Sequence, residues 1–241
     1  MIKKQTLNMK IVYDNNPYNE ILKPDWGFSC FISGLEKSIL FDTGTKGNIL
    51  LSNMEKMGIL PDDIDIVFLS HDHKDHTGGL KSLLEKNSEI EVWIPAFFSS
   101  NFKKSIKKMG ASFIDVQKLR KICEGAYTTG VITGWINEQS LVLETNEGLV
   151  LMTGCSHPRI ANIITIVKDL FKKDIFMVLG GFHLGGFENA EIKEIIEVFR
   201  SINVKKTGPC HCSGDDARRL FAKEYKDDYI DIGVGKEIVI E

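Results

Sequence analysis

The segment Ser70-His71-Asp72-His73-Lys74-Asp75-His76-Thr77-Gly78-Gly79 sets three imidazoles and two carboxylates within six positions, His71 to His76. Neutral imidazole and carboxylate are the ligands that zinc and similar divalent cations take from proteins. His71 and His73 are two residues apart, so a locally extended backbone aims both the same way. Asp75 and His76 follow one turn on, placed for a second ion. The chain holds only six histidines, and the other three each follow an apolar run and sit among glycines or turn residues. They are His157 in Met152-Thr153-Gly154-Cys155-Ser156-His157-Pro158, His183 in Gly180-Gly181-Phe182-His183-Leu184-Gly185-Gly186, and His211 in Pro209-Cys210-His211-Cys212-Ser213-Gly214. Their equivalent placement after strands assigns all three to the same site. Cys155 and His157 are open to three readings: a nucleophile with its base, a pair of metal ligands, or a tight turn. A cysteine–histidine pair needs an oxyanion hole that the sequence does not show.

Strands at Leu7–Tyr13, Phe28–Ser33, Ser38–Phe41, Ile64–Leu69 and Ile90–Ile94 are expected from short apolar, β-branched runs. Helices are expected over 47–57, from about Gly79, and over 102–109. Residues 111–145 read as several strands with turns at Gly125, Gly130 and Gly134. Then come strand Leu149–Met152, helix Ile160–Phe171, strand Phe176–Leu179, helix Ala190–Arg200, strand Val204–Thr207, helix Asp215–Glu224 and strand Ile238–Ile240. Strands with helices, repeated in two halves, predict an α/β protein built as a four-layer αββα sandwich. No internal repeat, low-complexity tract or linker divides the sequence, so 1–241 reads as one domain.

The histidine cluster resembles the H-x-H-x-D-H signature of the metallo-β-lactamase superfamily, and Phe41-Asp42-Thr43-Gly44 resembles its aspartate turn. With the segments around Cys155, His183 and His211, the chain looks like one branch. That branch holds archaeal dihydropterin–ribofuranosylaminobenzene-phosphate synthases and bacterial metal-dependent hydrolases. The resemblance implies an αββα sandwich with one or two metal ions at the edge between the sheets. It places His71 and His73 on a first ion and Asp75, His76 and His211 on a second, with Asp42 orienting the cluster through hydrogen bonds.

Two departures stand out. No histidine lies between His76 and His157, where the superfamily supplies another ligand. His157 is inferred to supply that imidazole. Cys155 stands where an aspartate ordinarily bridges, and reads either as a thiolate ligand favouring zinc or as a small buried thiol. The metal set is therefore His71, His73, Asp75, His76, Cys155, His157 and His211, for one or two divalent ions, zinc first and manganese or iron next. Asp75 and His183 are the expected catalytic pair. Asp75 would orient a water and accept its proton, and His183 would protonate a leaving oxygen or contact substrate.

Three functions compete. The leading one is a metallo-hydrolase acting on an ester or phosphoester. The resemblance implies a second, a transferase condensing a pterin-methyl diphosphate with an arylamine phosphate. The third is a non-catalytic metal-loaded sensor. The expected partner is a small molecule, phosphorylated or pterin-like if the resemblance carries. Trp26, Phe28, Trp93, Phe97, Phe98 and Trp135 are candidate aromatic pocket walls. A formal charge of −3 argues against a nucleic-acid-binding face, and the cluster Lys103, Lys104, Lys107 and Lys108 reads as a solvated helix face. No apolar run reaches membrane-spanning length, and no apolar stretch follows the basic residues at 3–4. Five cysteines, with Cys210 and Cys212 too close to bridge, point to a cytoplasmic protein without disulfides.

Overall fold

The computed structural model describes residues 6–241; the basic residues at 3–4 lie outside them. A seven-stranded sheet holds β1 (Leu7–Tyr13), β2 (Ser29–Ser33), β3 (Ile39–Phe41), β4 (Ile66–Phe68), β5 (Glu91–Pro95), β6 (Ser112–Val116) and β13 (Glu237–Ile240). Its order is β13-β1-β2-β3-β4-β5-β6. A six-stranded sheet holds β7 (Lys118–Cys123), β8 (Ala126–Gly130), β9 (Leu141–Thr145), β10 (Gly148–Thr153), β11 (Ile175–Gly181) and β12 (Lys206–Cys210), ordered β12-β11-β10-β9-β8-β7.

Strand side chains alternate between two faces, and here both faces are buried. Ile39 and Phe41 of β3, Ile66 and Phe68 of β4, and Val150 and Met152 of β10 meet in the core between the sheets. The intervening Leu40 and Val67 face the helices α1 (Gly47–Lys56), α3 (Leu80–Leu84) and α4 (Ser100–Lys108), through Leu50, Met54, Leu83 and Ile106. Leu149 and Leu151 likewise face α5 (Ile160–Phe171), α6 (Asn189–Ser201) and α7 (Asp215–Tyr225), packing with Ile164, Phe199 and Phe221. The four layers are thus helix, sheet, sheet, helix, as the sequence pattern predicts. Strand boundaries differ from the sequence reading by up to three residues. The largest change is at Val204–Thr207, where the strand is Lys206–Cys210; at 64–69 the strand narrows to Ile66–Phe68, and the Leu69 amide still bonds the Trp93 carbonyl as the chain enters the site.

Strand direction positions the chemistry. β3, β4, β5 and β6 run parallel to one another, and so do β10, β11 and β12. Their carboxyl ends therefore gather on one rim, the usual place for a ligand crevice in parallel sheets. Asp42 follows β3, the histidine cluster follows β4, Cys155 and His157 follow β10, His183 follows β11, and His211 with Cys212 follows β12.

Candidate metal centre

The rim brings every sequence-predicted site residue together. The chain bends at 71–72, His73 is extended at φ −69° and ψ 146°, and one helical turn, α2 (Lys74–Thr77), then carries Asp75 and His76. The ligand atoms form three groups, each with its members within 4.8 Å of one another: His71, His73 and His157; Asp75, His76, Cys155 and His211; and Cys155, His183 and Cys212. The first two match the split between two ions that the resemblance implies, with His157 in the first and Cys155, left open between ligand and buried thiol, in the second; the third adds Cys212. Non-glycine residues with positive φ cluster here: Asp42 at 53°, His183 at 54° and His211 at 51°. Such backbone is unfavourable for these residue types and persists where the surroundings impose it.

Hydrogen bonds assign the imidazole tautomers. Asp42 is fully buried and accepts from the Ser70 amide, the Ser70 hydroxyl and His76 Nδ1, each at 2.7 Å. Because the Ser70 hydroxyl donates to Asp42, its oxygen accepts from His71 Nδ1–H at 2.9 Å. Glu138, also buried, accepts from His157 Nδ1–H and from the amides of Ser156 and His157, at 2.9 and 3.3 Å. Its Oε1 lies 3.5 Å from His71 Nδ1. Asn15 Oδ1 accepts from His211 Nδ1–H at 3.0 Å. Four imidazoles thus carry hydrogen on Nδ1 and turn Nε2 inward. The Nε2 atoms of His71 and His211 are buried without a hydrogen-bond partner. Buried unpaired polar atoms are costly and rare, so a cluster of inward-facing, lone-pair-bearing nitrogens fits a cation. Asp75 Oδ2 stands 3.2 Å from His211 Nε2 and 3.6 Å from His76 Nε2.

The charge states differ between rings: His71 is a ready donor, whereas His76 must give up a proton to a cation. Burial, reinforced by the neighbouring imidazoles, holds His71 well below its usual pKa, leaving a neutral donor. Burial also acts against protonated His76, but the Asp42 carboxylate outweighs it and raises the pKa to about 9. Burial disfavours ionised Asp75, yet His211 and His76 hold it below the ordinary carboxylate range. Burial and the adjacent Cys212 push the Cys155 thiol well above its usual value. Burial likewise opposes ionised Cys212, but the hydrogen bond from Cys155 and the facing His183 hold Cys212 well below its own.

Beside the centre lies a cavity of about 330 Å³ lined by Trp135, His157, Ile160, Phe182, His183 and Phe187, among others. The Trp135 indole is 73% exposed and lies edge-on to His157, with centroids 5.0 Å apart. Trp26 packs on His211 at 4.8 Å. Phe28, Trp93 and Phe98, by contrast, are buried in the core and form no pocket wall.

Residues 27–167 match the family described as the metallo-beta-lactamase superfamily. The chain belongs to this superfamily. The 7,8-dihydropterin-6-methyl-4-(beta-D-ribofuranosyl)-aminobenzene-5'-phosphate synthase of Methanocaldococcus jannaschii is 30% identical, with 96% of each chain covered. Among solved structures, one described as a metal-dependent hydrolase of the beta-lactamase superfamily is similar with a TM-score of 0.81 at 27% identity, covering 96% of this chain and 98% of its own. A diphosphatase of the PhnP family shares the fold at a TM-score of 0.65 and 13% identity, covering 98% of this chain and 97% of its own.

Within the superfamily frame, the structure adds residues that the sequence did not single out. Glu138, Ser70 and Asn15 hold the backs of candidate ligand imidazoles, and Cys212 faces Cys155 and His183. Glu138 lies in Ile136-Asn137-Glu138-Gln139, whose composition carries no signal for a buried carboxylate. Ser70 was detectable, as it directly precedes the cluster.

Proposed function

We propose that this protein is a metal-dependent enzyme that cleaves an ester or phosphoester bond in a small, ring-bearing molecule. What carries the reading is the convergence of tautomer-fixed imidazoles and the Asp75 carboxylate on one rim that opens onto the Trp135–His157–His183 cavity. His71, His73 and His157 would hold one divalent ion, and Asp75, His76, Cys155 and His211 a second, zinc being favoured by the nitrogen and sulfur donors. Bound ions supply Lewis acidity and water acidified toward neutral pH. Asp75, ionised and facing His76 and His211, orients the attacking water and takes its proton. His183 lines the cavity. Cys212 beside it, held toward its ionised form, raises the His183 pKa against the opposing effect of burial and so favours the protonated imidazole that would deliver a proton to the leaving oxygen. Trp135, exposed beside both imidazoles, covers one face of a flat substituent, and the apolar cavity excludes water from it.

A second reading, transfer instead of hydrolysis, draws support from the full-length similarity to the M. jannaschii synthase. Here the acceptor is an arylamine and the donor a pterin-methyl diphosphate, with the same residues holding the ions. Metal-free protein reloaded with zinc or manganese and offered nitrophenyl esters and phosphodiesters tests the first reading. Pyrophosphate release that requires the arylamine supports the second. Metal-independent turnover, or His71→Ala protein with full metal content and full activity, overturns both.

A further inference from the structure

Cys212 belongs to neither of the two groups assigned above, yet it is built into the same wall. Its sulfur, the Cys155 sulfur and a ring nitrogen of His183 lie within 4.8 Å of one another. Zn–S bonds of about 2.3 Å and Zn–N bonds of about 2.0–2.1 Å set ligand atoms on one tetrahedral ion roughly 3.5–3.8 Å apart. A closing movement of about 1 Å, within the reach of side-chain rotation, therefore places the three on one ion.

Three further observations mark a built site. The Nδ1 of His183 is buried without a hydrogen-bond partner, on a residue held at φ 54°. Gly181 leaves the room that Cys212 fills: a Cβ there would stand 2.7 Å from the Cys212 sulfur and 2.3 Å from the Gly154 carbonyl oxygen. Access exists on two sides, because His183 lines the 330 Å³ cavity and Cys212 lines a second one of about 250 Å³ with Trp26, Asn15 and Arg218.

We propose that Cys155, His183 and Cys212 form a third cation position, one that takes a thiophilic d10 ion such as zinc and shares the Cys155 sulfur with the neighbouring group. Two sulfurs and an imidazole are a softer donor set than the three imidazoles, or the single sulfur with imidazoles and a carboxylate, beside it, and select zinc, cadmium or cuprous copper over magnesium or manganese. Any proton still held by either sulfur or by the ligating imidazole nitrogen passes to solvent on binding. An ion here ties up His183. Occupancy is therefore inhibitory, a consequence that rests on the role proposed above for His183, whereas the occupancy itself does not.

Cadmium chloride titrated into metal-free full-length protein, followed by desalting and elemental analysis, tests the site. Wild type is expected to hold one more cadmium per chain than either Cys212→Ser or His183→Gln. In Cys212→Ser the ultraviolet thiolate-to-cadmium absorption should fall to that of a single thiolate. Unchanged stoichiometry and absorption in Cys212→Ser would overturn the proposal. Should that variant not fold, cadmium NMR of wild type decides: a resonance typical of two sulfur ligands supports the site, and its absence overturns it. Zinc added beyond saturation of the other groups should lower turnover in wild type but not in Cys212→Ser. If no protein turns over any substrate, the stoichiometry still decides whether the third position exists.

Discussion

Replacing Glu138 by glutamine changes one oxygen to an NH2 group without changing shape, and it strikes a carboxylate that touches two ligands of one ion. In the native protein Glu138 accepts from His157 Nδ1–H and lies 3.5 Å from His71 Nδ1, while two backbone amides of the Ser156–His157 turn fix its own position. Its negative charge keeps hydrogen on Nδ1, makes the opposite nitrogen a better donor and stops the rings from turning. Removing partners of this kind generally costs 10–100-fold in metal affinity, which is about 1.4–2.7 kcal/mol. The loss should sit near the upper end, because one carboxylate serves two of the three imidazoles in the His71–His73–His157 group. The second group, tied to Asp42 and Asn15, should keep its affinity to within about threefold, since it makes no hydrogen bond to Glu138. Competition against a chromophoric chelator, with zinc added to metal-free protein, resolves the two binding steps. Glu144→Gln is the control, because Glu144 pairs only with surface Lys173 in this region of the sheet. Two unchanged zinc affinities in correctly folded Glu138→Gln would refute the claim that this carboxylate sets the donor state of His157 and His71.

Other consequences can be measured separately. A Cβ at Gly154 would stand 2.1 Å from Ser70 Oγ, so Gly154→Ala should break the His71–Ser70–Asp42 chain and weaken metal binding at least tenfold; equal affinity would show the chain to be dispensable. His183→Gln should lower kcat by about 10²–10⁴ and remove the decline of rate as pH rises through the raised His183 pKa, read from pH–rate profiles. Asp14 is fully buried with Oδ2 unpartnered, and burial raises its pKa to about 6. A carboxylate shifted upward binds more protons in the native state, so its ionisation destabilises the fold as pH rises from about 4 to 6, by up to about 3 kcal/mol. Asp14→Asn should therefore flatten the urea-derived stability curve across that window in metal-free protein; parallel curves would contradict this. Phe41→Ala, in the core between the sheets and stacked on Phe68, should cost about 3–5 kcal/mol in the same assay.

The four-layer fold was legible because its central strands are buried on both faces and its helices carry one apolar stripe, two patterns that the sequence exposes directly. Leu149–Met152 and Phe176–Leu179 read as strands from their apolar runs, and the structure extends both by residues whose side chains carry no periodic signal. The ligands were legible for a different reason: histidine is scarce here, and each one falls at a strand end. Glu138 and Asn15 were not, since their importance comes from which imidazole they face across 19 and 196 residues of sequence. Only the packing of the two sheets sets those distances. Trp93 and Phe98 went to the core instead of the pocket because strand alternation and helix packing bury them, whereas Trp135 sits on the loop between β8 and β9, above the rim.

Asp42 belongs to neither ion, yet it binds the back of a ligand from each: His76 directly and His71 through Ser70. An ion on either imidazole draws electron density from that ring, makes its Nδ1–H a stronger donor and leaves less of the carboxylate's negative charge for the other. The two stepwise binding constants are therefore linked through a single side chain, and the linkage must be reciprocal. If both proposed positions fill, an ion at one should shift the affinity of the other through Asp42, whose hydrogen bonds Glu138→Gln leaves in place.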